Sequence, residues 1–204
     1  MKIELKKYNP NWLNQYKDLK NKLSIILENL NPIIEHIGST SIPSLCAKPI
    51  IDIAVGIKDL TELNLTIQPM IENQFIYYKV YNNIMPKRRL FIGLKNDKDS
   101  IQFKKIYSYN NEIPQKQIHT YKLTHIHIWE FQSYEWKRHI AFRDYLKEHI
   151  EISKKYSSLK YKLSKKEWKD GNEYNDAKND FIKEIETKAL LWYEKQTYSK
   201  MNSY

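Results

Sequence analysis

His125 and His127 stand two residues apart in the run Leu123-Thr124-His125-Ile126-His127-Ile128-Trp129. In an extended strand, residues at i and i+2 share a face, so the two imidazoles point the same way. As neutral rings they can bind a metal. As imidazolium they can orient phosphates, and either can act as a general base. Glu130 follows the run and offers a third polar group. Arg89 and Arg143 are the candidate phosphate clamps, because a guanidinium grips such oxygens bidentately; Lys48 would act as a point charge. Arg143 has a plainer alternative, a salt bridge to Asp144 or Glu148. The turn Gly38-Ser39-Thr40 combines a residue that lets the backbone approach a ligand closely with two hydroxyl donors. If a helix follows it, the N–H groups at its start add anion-binding donors. Asp52 is the one acid in the apolar run 49–57. It is either part of a site or the partner of a buried cation, Lys48 or Arg89. His36 either faces the same cleft or is bonded inside the fold.

These side chains need elements to hold them. Asn9-Pro10 is a helix start, a capping side chain before a proline at the first helical position. Trp12, Tyr16, Leu19, Leu23, Ile26 and Leu30 then recur at helical spacing up to Asn31-Pro32. Residues 33–37 read as a short strand closed by Gly38, and 49–57 as an apolar central strand. The pattern predicts a helix over 61–73, strands over 75–80, 87–92 and 123–129, and loops with one irregular element over 93–122. From Ser133 the chain turns helical: one helix through Trp136 to Ile150, another through Tyr156 to Leu163, and a turn at Asp170-Gly171-Asn172. A long last helix then carries Tyr174, Ala177, Phe181, Ile185, Ala189 and Trp192. The expected architecture is α+β, a mixed sheet of four to five strands flanked by helices. All 204 residues are read as one domain, with a sheet-containing core at about 8–132 and a helical C-terminal part at about 133–195.

Composition narrows the classes. Hydrophobic residues make up 41% and charged residues 28%, the balance of an ordinary globular chain. No stretch approaches the roughly 18 apolar residues that span a bilayer, and MKIELKKYNP has no apolar signal core. A cytoplasmic protein with no membrane partner is expected. The single cysteine, Cys46, excludes an intrachain disulfide and a cysteine-based zinc site. The net charge of +10 is spread along the chain, as on a solvated face. Nucleic acid, as RNA, therefore ranks last among the partners, behind a nucleotide or phosphorylated small molecule.

The run Glu35-His36-Ile37-Gly38-Ser39-Thr40, then Pro43, then Ala47-Lys48-Pro49-Ile50-Ile51-Asp52-Ile53 closely resembles the signature of the GrpB family. Arg88-Arg89-Leu90-Phe91, Thr124-His125-Ile126-His127-Ile128, Trp136, Phe142-Arg143-Asp144-Tyr145-Leu146, Tyr156…Leu159-Lys160 and Tyr174…Lys178…Phe181-Ile182 resemble its later segments. The match runs from about residue 8 to 190. The resemblance implies a nucleotidyltransferase-like fold in a family mostly described as uncharacterised, with some members fused to dephospho-CoA kinase. By that likeness Gly38, Ser39 and Thr40 would hold phosphates with His36, Lys48, Arg89 and Arg143. Asp52 would hold Mg²⁺ with help from His127, and Asp52, His125 and His127 would be the catalytic residues of nucleotidyl transfer to an unknown acceptor.

This chain departs from those patterns at three places. Nucleotidyltransferases usually place a second carboxylate two residues after the first, where this chain has Ala54. The family commonly has Gly at Ser44 and often His at Thr124. The alternatives are a non-catalytic nucleotide- or coenzyme-binding module on the same fold and, third, an RNA-associated basic protein.

Overall fold

The computed structural model describes residues 2–43, 45–95, 103–169 and 171–201. The chain folds into two compact units. One comprises Asn11–His36 and Ile50–Trp136; the other comprises Met1–Pro10, Ile37–Pro49 and Lys137–Tyr204. Of the expected core at 8–132, residues 8–10 and 37–49 fall in the unit that holds the C-terminal helices.

The first unit is built on a five-stranded mixed sheet. Its strands are β1 (Ile33–Ile37), β2 (Ile51–Ile57), β3 (Ile76–Tyr77), β4 (Arg88–Leu94) and β5 (Lys122–Glu130), in the order β1-β2-β5-β4-β3. β2 runs parallel to β5, and β4 is antiparallel to both β5 and β3. The long apolar strand expected at 49–57 is β2, and it is central because Ile51, Ile53, Ala54, Val55 and Ile57 are all fully buried. β3 is shorter than predicted. After Tyr78 the chain enters a 3₁₀ turn at Lys79–Asn82, and the backbone partners continue through Lys105 and Tyr107 instead.

The register decides which side chains share a face. Asp52, Ala54 and Gly56 of β2 lie opposite His125, His127 and Trp129 of β5. Those three in turn lie opposite Ile92, Leu90 and Arg88 of β4. On this front face, a cluster including Tyr78, Tyr107, Ile113 and Ile118 packs on Leu90 and Ile92. The back face carries Arg89, Phe91 and Gly93. There a side-chain carbon on Gly93 would stand 2.5 Å from Thr124 Cγ2 and 3.1 Å from the Phe75 ring. α1 (Asn11–Ile26) reaches the same side, with Lys22 above the Phe75 ring. The expected helix at 61–73 is a 3₁₀ stretch, Leu60–Thr66, running into the short α2 (Ile67–Glu72). The irregular region contributes α3 (Gln115–Tyr121), which composition alone did not signal; residues 96–102 lie outside the described residues.

The second unit holds α4 (Tyr134–Glu148) from Lys137 on, α5 (Ile150–Ser164), α6 (Gly171–Asp176) and α7 (Asn179–Met201). Ile42, Leu45, Leu146, Tyr156 and Ile185 form one core cluster, and Ile3, Leu163 and Tyr174 another. The expected single last helix is broken between α6 and α7. Asn175, Asp176 and Asn179 fall at the break, and Asn179 Nδ2 donates to Asp176 Oδ1 (3.2 Å); such side chains compete with the backbone for helical bonds. Of the expected turn 170–172, Gly171 and Asn172 instead begin α6, and Asp170 lies outside the described residues, as does Ser44. Among the described residues no helix is long and apolar enough to cross a membrane.

Burial raises the hydroxyl pKa of Tyr78, Tyr107 and Tyr174, the last to about 12. The unfolded chain loses these protons near the ordinary value of about 10, before the folded protein does. Stability is therefore expected to be level below that value and to fall as pH rises through the interval up to about 12. Urea midpoints measured across this range check it; a flat profile would contradict the burial of these hydroxyls.

Candidate functional site

β2 and β5 bring Asp52, His125 and His127 together. Parallel pairing sets Asp52 directly beside His125, and His125 Nδ1 lies 2.8 Å from Asp52 Oδ1. A ring N–H donating to that carboxylate fixes the orientation of the imidazole. Both side chains are partly open, at 30% for Asp52 and 27% for His125. His127 stacks on Trp129, with ring centroids 5.1 Å apart and planes 11° apart. One ligand atom from each of Asp52, His125 and His127 lies within 4.8 Å of the others, the one such trio among the described residues.

Arg88 completes the cluster. It enters from β4 on the same face, opposite Trp129, and its Nη1 donates to His127 Nδ1 at 3.4 Å. A guanidinium has no lone pair to give, so this ring nitrogen is the acceptor. Sequence reading selected the neighbouring Arg89, which alternation turns to the back face. There its Nε and Nη2 donate to Asn64 Oδ1 (3.0 and 2.8 Å), and its Nη1 to the carbonyls of Pro86 and Arg88 (2.9 and 2.8 Å). Arg89 is a brace for the start of β4 rather than a phosphate clamp on the histidine face.

Other expected site residues also lie elsewhere. Thr124 and Glu130 sit on the opposite side of β5 from the histidines. Thr124 is fully buried and donates to the Ile51 carbonyl at 2.5 Å, so its replacement of a family histidine removes nothing from the histidine face. His36 is buried and stacked on Tyr16 of α1 (4.7 Å, 12°), a helix of the back face. Ala54 faces the cluster directly opposite His127 and is fully buried. The imidazole thus occupies the sector where a second carboxylate would reach.

In the second unit, Gly38 adopts φ 69°, ψ −174°, a region open essentially to glycine alone. It leads into a single 3₁₀ turn, Ser39–Ser41, rather than the helix that would align several N–H groups. The cation there is Lys160 of α5, which sequence reading placed only within the family-like tail. Lys160 is 3% exposed; its Nζ donates to Ser39 Oγ at 2.9 Å and sits 5.1 Å from the Tyr156 ring centre. No periodicity marks a lysine as buried, and only the fold reveals it. Lys48 lies over the Tyr174 ring at 5.2 Å. Arg143 forms an ion pair with its neighbour Asp144, Nε to Oδ1 at 2.7 Å and Nη2 to Oδ2 at 3.0 Å, the plainer of its two readings.

The Mg²⁺ implied by the fold resemblance can be tested against the donor set. Mg²⁺ takes oxygen ligands and is held by carboxylates together with substrate phosphates. Here two of three donors are imidazoles, and Ala54 removes the second carboxylate. The residues do not fit a dedicated Mg²⁺ site.

Comparison with known proteins places the chain. The family model described as GrpB protein matches residues 2–188. UPF0157 protein YqkA of Bacillus subtilis (strain 168) is 30% identical over 191 residues, which is 94% of this chain but 48% of that relative, so the chain spans about half its length. Glutamate-rich protein GrpB of Alkalihalophilus pseudofirmus is 30% identical over 179 residues, covering 87% of this chain and 90% of the relative. The crystal structure of conserved protein GrpB from Enterococcus faecalis superimposes with a TM-score of 0.73 at 29% identity, covering 93% of this chain and 99% of that one. With its signature, its fold and nearly its whole length matched, the chain belongs to the GrpB family.

Proposed function

We propose that this protein binds a nucleotide or a similar phosphorylated ligand on the sheet face that carries Asp52, His125, His127 and Arg88, and transfers a nucleotidyl group from it to an acceptor. The observation that supports this most is the register of β2, β5 and β4, which sets a carboxylate, two imidazoles and a guanidinium side by side. In such a transfer the acceptor oxygen bonds to the α-phosphorus, pyrophosphate leaves and the acceptor loses a proton. Catalysis of this kind is mainly positioning and charge stabilisation. Arg88 supplies the fixed positive charge. The Asp52 carboxylate holds His125 in one orientation, and the imidazoles offer further contacts to phosphoryl oxygens. In the second unit, Gly38, Ser39 and Lys160 form a separate grip suited to an anion.

The test is calorimetric titration of the protein with ATP. Arg88→Ala is expected to weaken binding by about ten- to a hundredfold, the size of a lost charge-assisted contact. Unchanged affinity in that variant would remove the face from consideration. Ala54 favours a second reading, a nucleotide-binding module without transfer chemistry, because two-metal transfer is harder to build on one carboxylate. Pyrophosphate release against a panel of hydroxyl and phosphate acceptors separates the two: release supports the transferase, and tight binding without release supports the module.

A further inference from the structure

We infer that Asp52, His125 and His127 form a site for a borderline transition-metal ion of the zinc class, in place of the Mg²⁺ that the fold resemblance implies. The inference deepens the proposed function, since it assigns the cation of the same face. Its first ground is the donor set. Imidazole nitrogen suits Zn²⁺ and its neighbours, whereas Mg²⁺ is served by carboxylate, carbonyl and water. Two histidines and one carboxylate are a recurrent ligand set of metal centres that keep open positions. Proximity is the second ground: one donor atom from each residue lies within 4.8 Å of the others, so small side-chain adjustments close them on one ion.

The third ground is the frame. Asp52 and His125 are register partners on adjacent parallel strands, and His127 is the next residue on that face of β5. The ligands therefore come from two interior strands of the sheet rather than from loops, and stacking on Trp129 holds the His127 ring. The fourth ground is Ala54. Opposite His127, where an acid would complete an oxygen-rich site, there is a buried methyl group. Exchanging one carboxylate for an imidazole across the same pair of strands changes the preferred metal without changing the fold.

Arg88 gives the inference a signature. Its guanidinium takes the lone pair of His127 Nδ1, so a metal must displace it from that nitrogen, and it places a positive charge beside the ligands. It therefore opposes a bound cation while favouring a bound phosphate. Removing it acts with opposite sign on the two ligands.

The experiment uses the full chain stripped of metal by chelation and titrated, without nucleotide, with Zn²⁺, Co²⁺ and Mg²⁺. Expected are one Zn²⁺ per chain, a visible Co²⁺ absorption band that Zn²⁺ abolishes, and no displacement of either by a large excess of Mg²⁺. His127→Ala and Asp52→Asn should each weaken Zn²⁺ binding by about a hundredfold or more, beyond the 10–100-fold range typical of outer-shell partners. Asp52→Asn is nearly isosteric and guards against a folding defect, which far-ultraviolet circular dichroism would reveal. Arg88→Ala should tighten Zn²⁺ by about three- to tenfold through loss of a neighbouring charge while weakening ATP.

Displacement by Mg²⁺, or Zn²⁺ affinity untouched in both ligand variants, would overturn the inference. ATP binding that depends on Arg88 together with no stoichiometric Zn²⁺ binding would leave the proposed function standing and sink the metal assignment. A zinc site without ATP binding would do the reverse.

Discussion

Gly93→Ala is expected to destabilise the protein by about 3 kcal/mol, the upper range for overpacking a well-filled interior. For a chain of this size that corresponds to a fall in melting temperature of roughly 6–12 °C. The added carbon would meet Thr124 Cγ2 at 2.5 Å, a distance that real side-chain carbons do not tolerate. Relief by movement is blocked on both sides. Gly93 and Thr124 are register partners on paired strands, Thr124 is tied to the Ile51 carbonyl of β2, and Phe75 closes the same space.

The cause can be separated from the consequence by a second substitution. Thr124→Ser removes the offending methyl and keeps the hydroxyl bond to Ile51. The double variant Gly93→Ala/Thr124→Ser should therefore recover a large part of the loss, a non-additivity typical of residues in contact. Thermal melts of the four proteins decide it. A single variant within about 0.5 kcal/mol of the parent, the range of an inconsequential surface change, would show that the sheet opens here more easily than its packing indicates.

The second large effect concerns Lys160. Lys160→Met keeps the length and apolar stem of a side chain that is 3% exposed and deletes only the ammonium. Replacing a buried ion by an apolar isostere is often neutral or stabilising, so the melting temperature should hold or rise. Binding should respond differently. If Lys160 and the Gly38–Ser39 turn grip an anion of their own, titration with pyrophosphate should show a loss of about ten- to a hundredfold at that site, the worth of a contact to a charged donor. Lys160→Ala would confound the two effects. It opens a cavity beside Tyr156 and is expected to cost about 2–4 kcal/mol on packing grounds alone. Unaltered pyrophosphate binding in Lys160→Met would make this lysine purely architectural.

Much of this was legible in the sequence. The α+β class, the central apolar strand and the shared face of His125 and His127 follow from composition and period-two alternation. The long signature around Gly38 identified the family. What alternation cannot supply is phase between strands. Arg88 and Arg89 are equivalent to any local pattern, and only the pairing of β4 with β5 shows that Arg88 joins the histidines while Arg89 braces the turn before it. His36 illustrates the same limit, since its alternation with Ile34 fixes a side but not what waits there, which is Tyr16. Lys160 was hidden for another reason. Its burial depends on where a helix lies against a turn far away in the chain, and nothing near it in sequence records that. α3 and the break before α7 were obscured by polar residues whose propensities are too weak to outvote tertiary contacts.

The pairing of β2 with β5 also has a temporal side. Asp52 and His125 touch although 73 residues separate them, and β3 and β4 are made in between. Contacts of such long separation form late, after the loop-closure entropy has been met. The local hairpin-like contacts of β3 and β4 can assemble first, and β2 must wait for β5. A chain emerging from the ribosome therefore carries Asp52 on a strand that has β1 on one side but lacks its histidine-bearing neighbour until residues through Glu130 have appeared. The cluster then arises in a single docking event, so the competence to hold a ligand is acquired all at once, as the sheet closes.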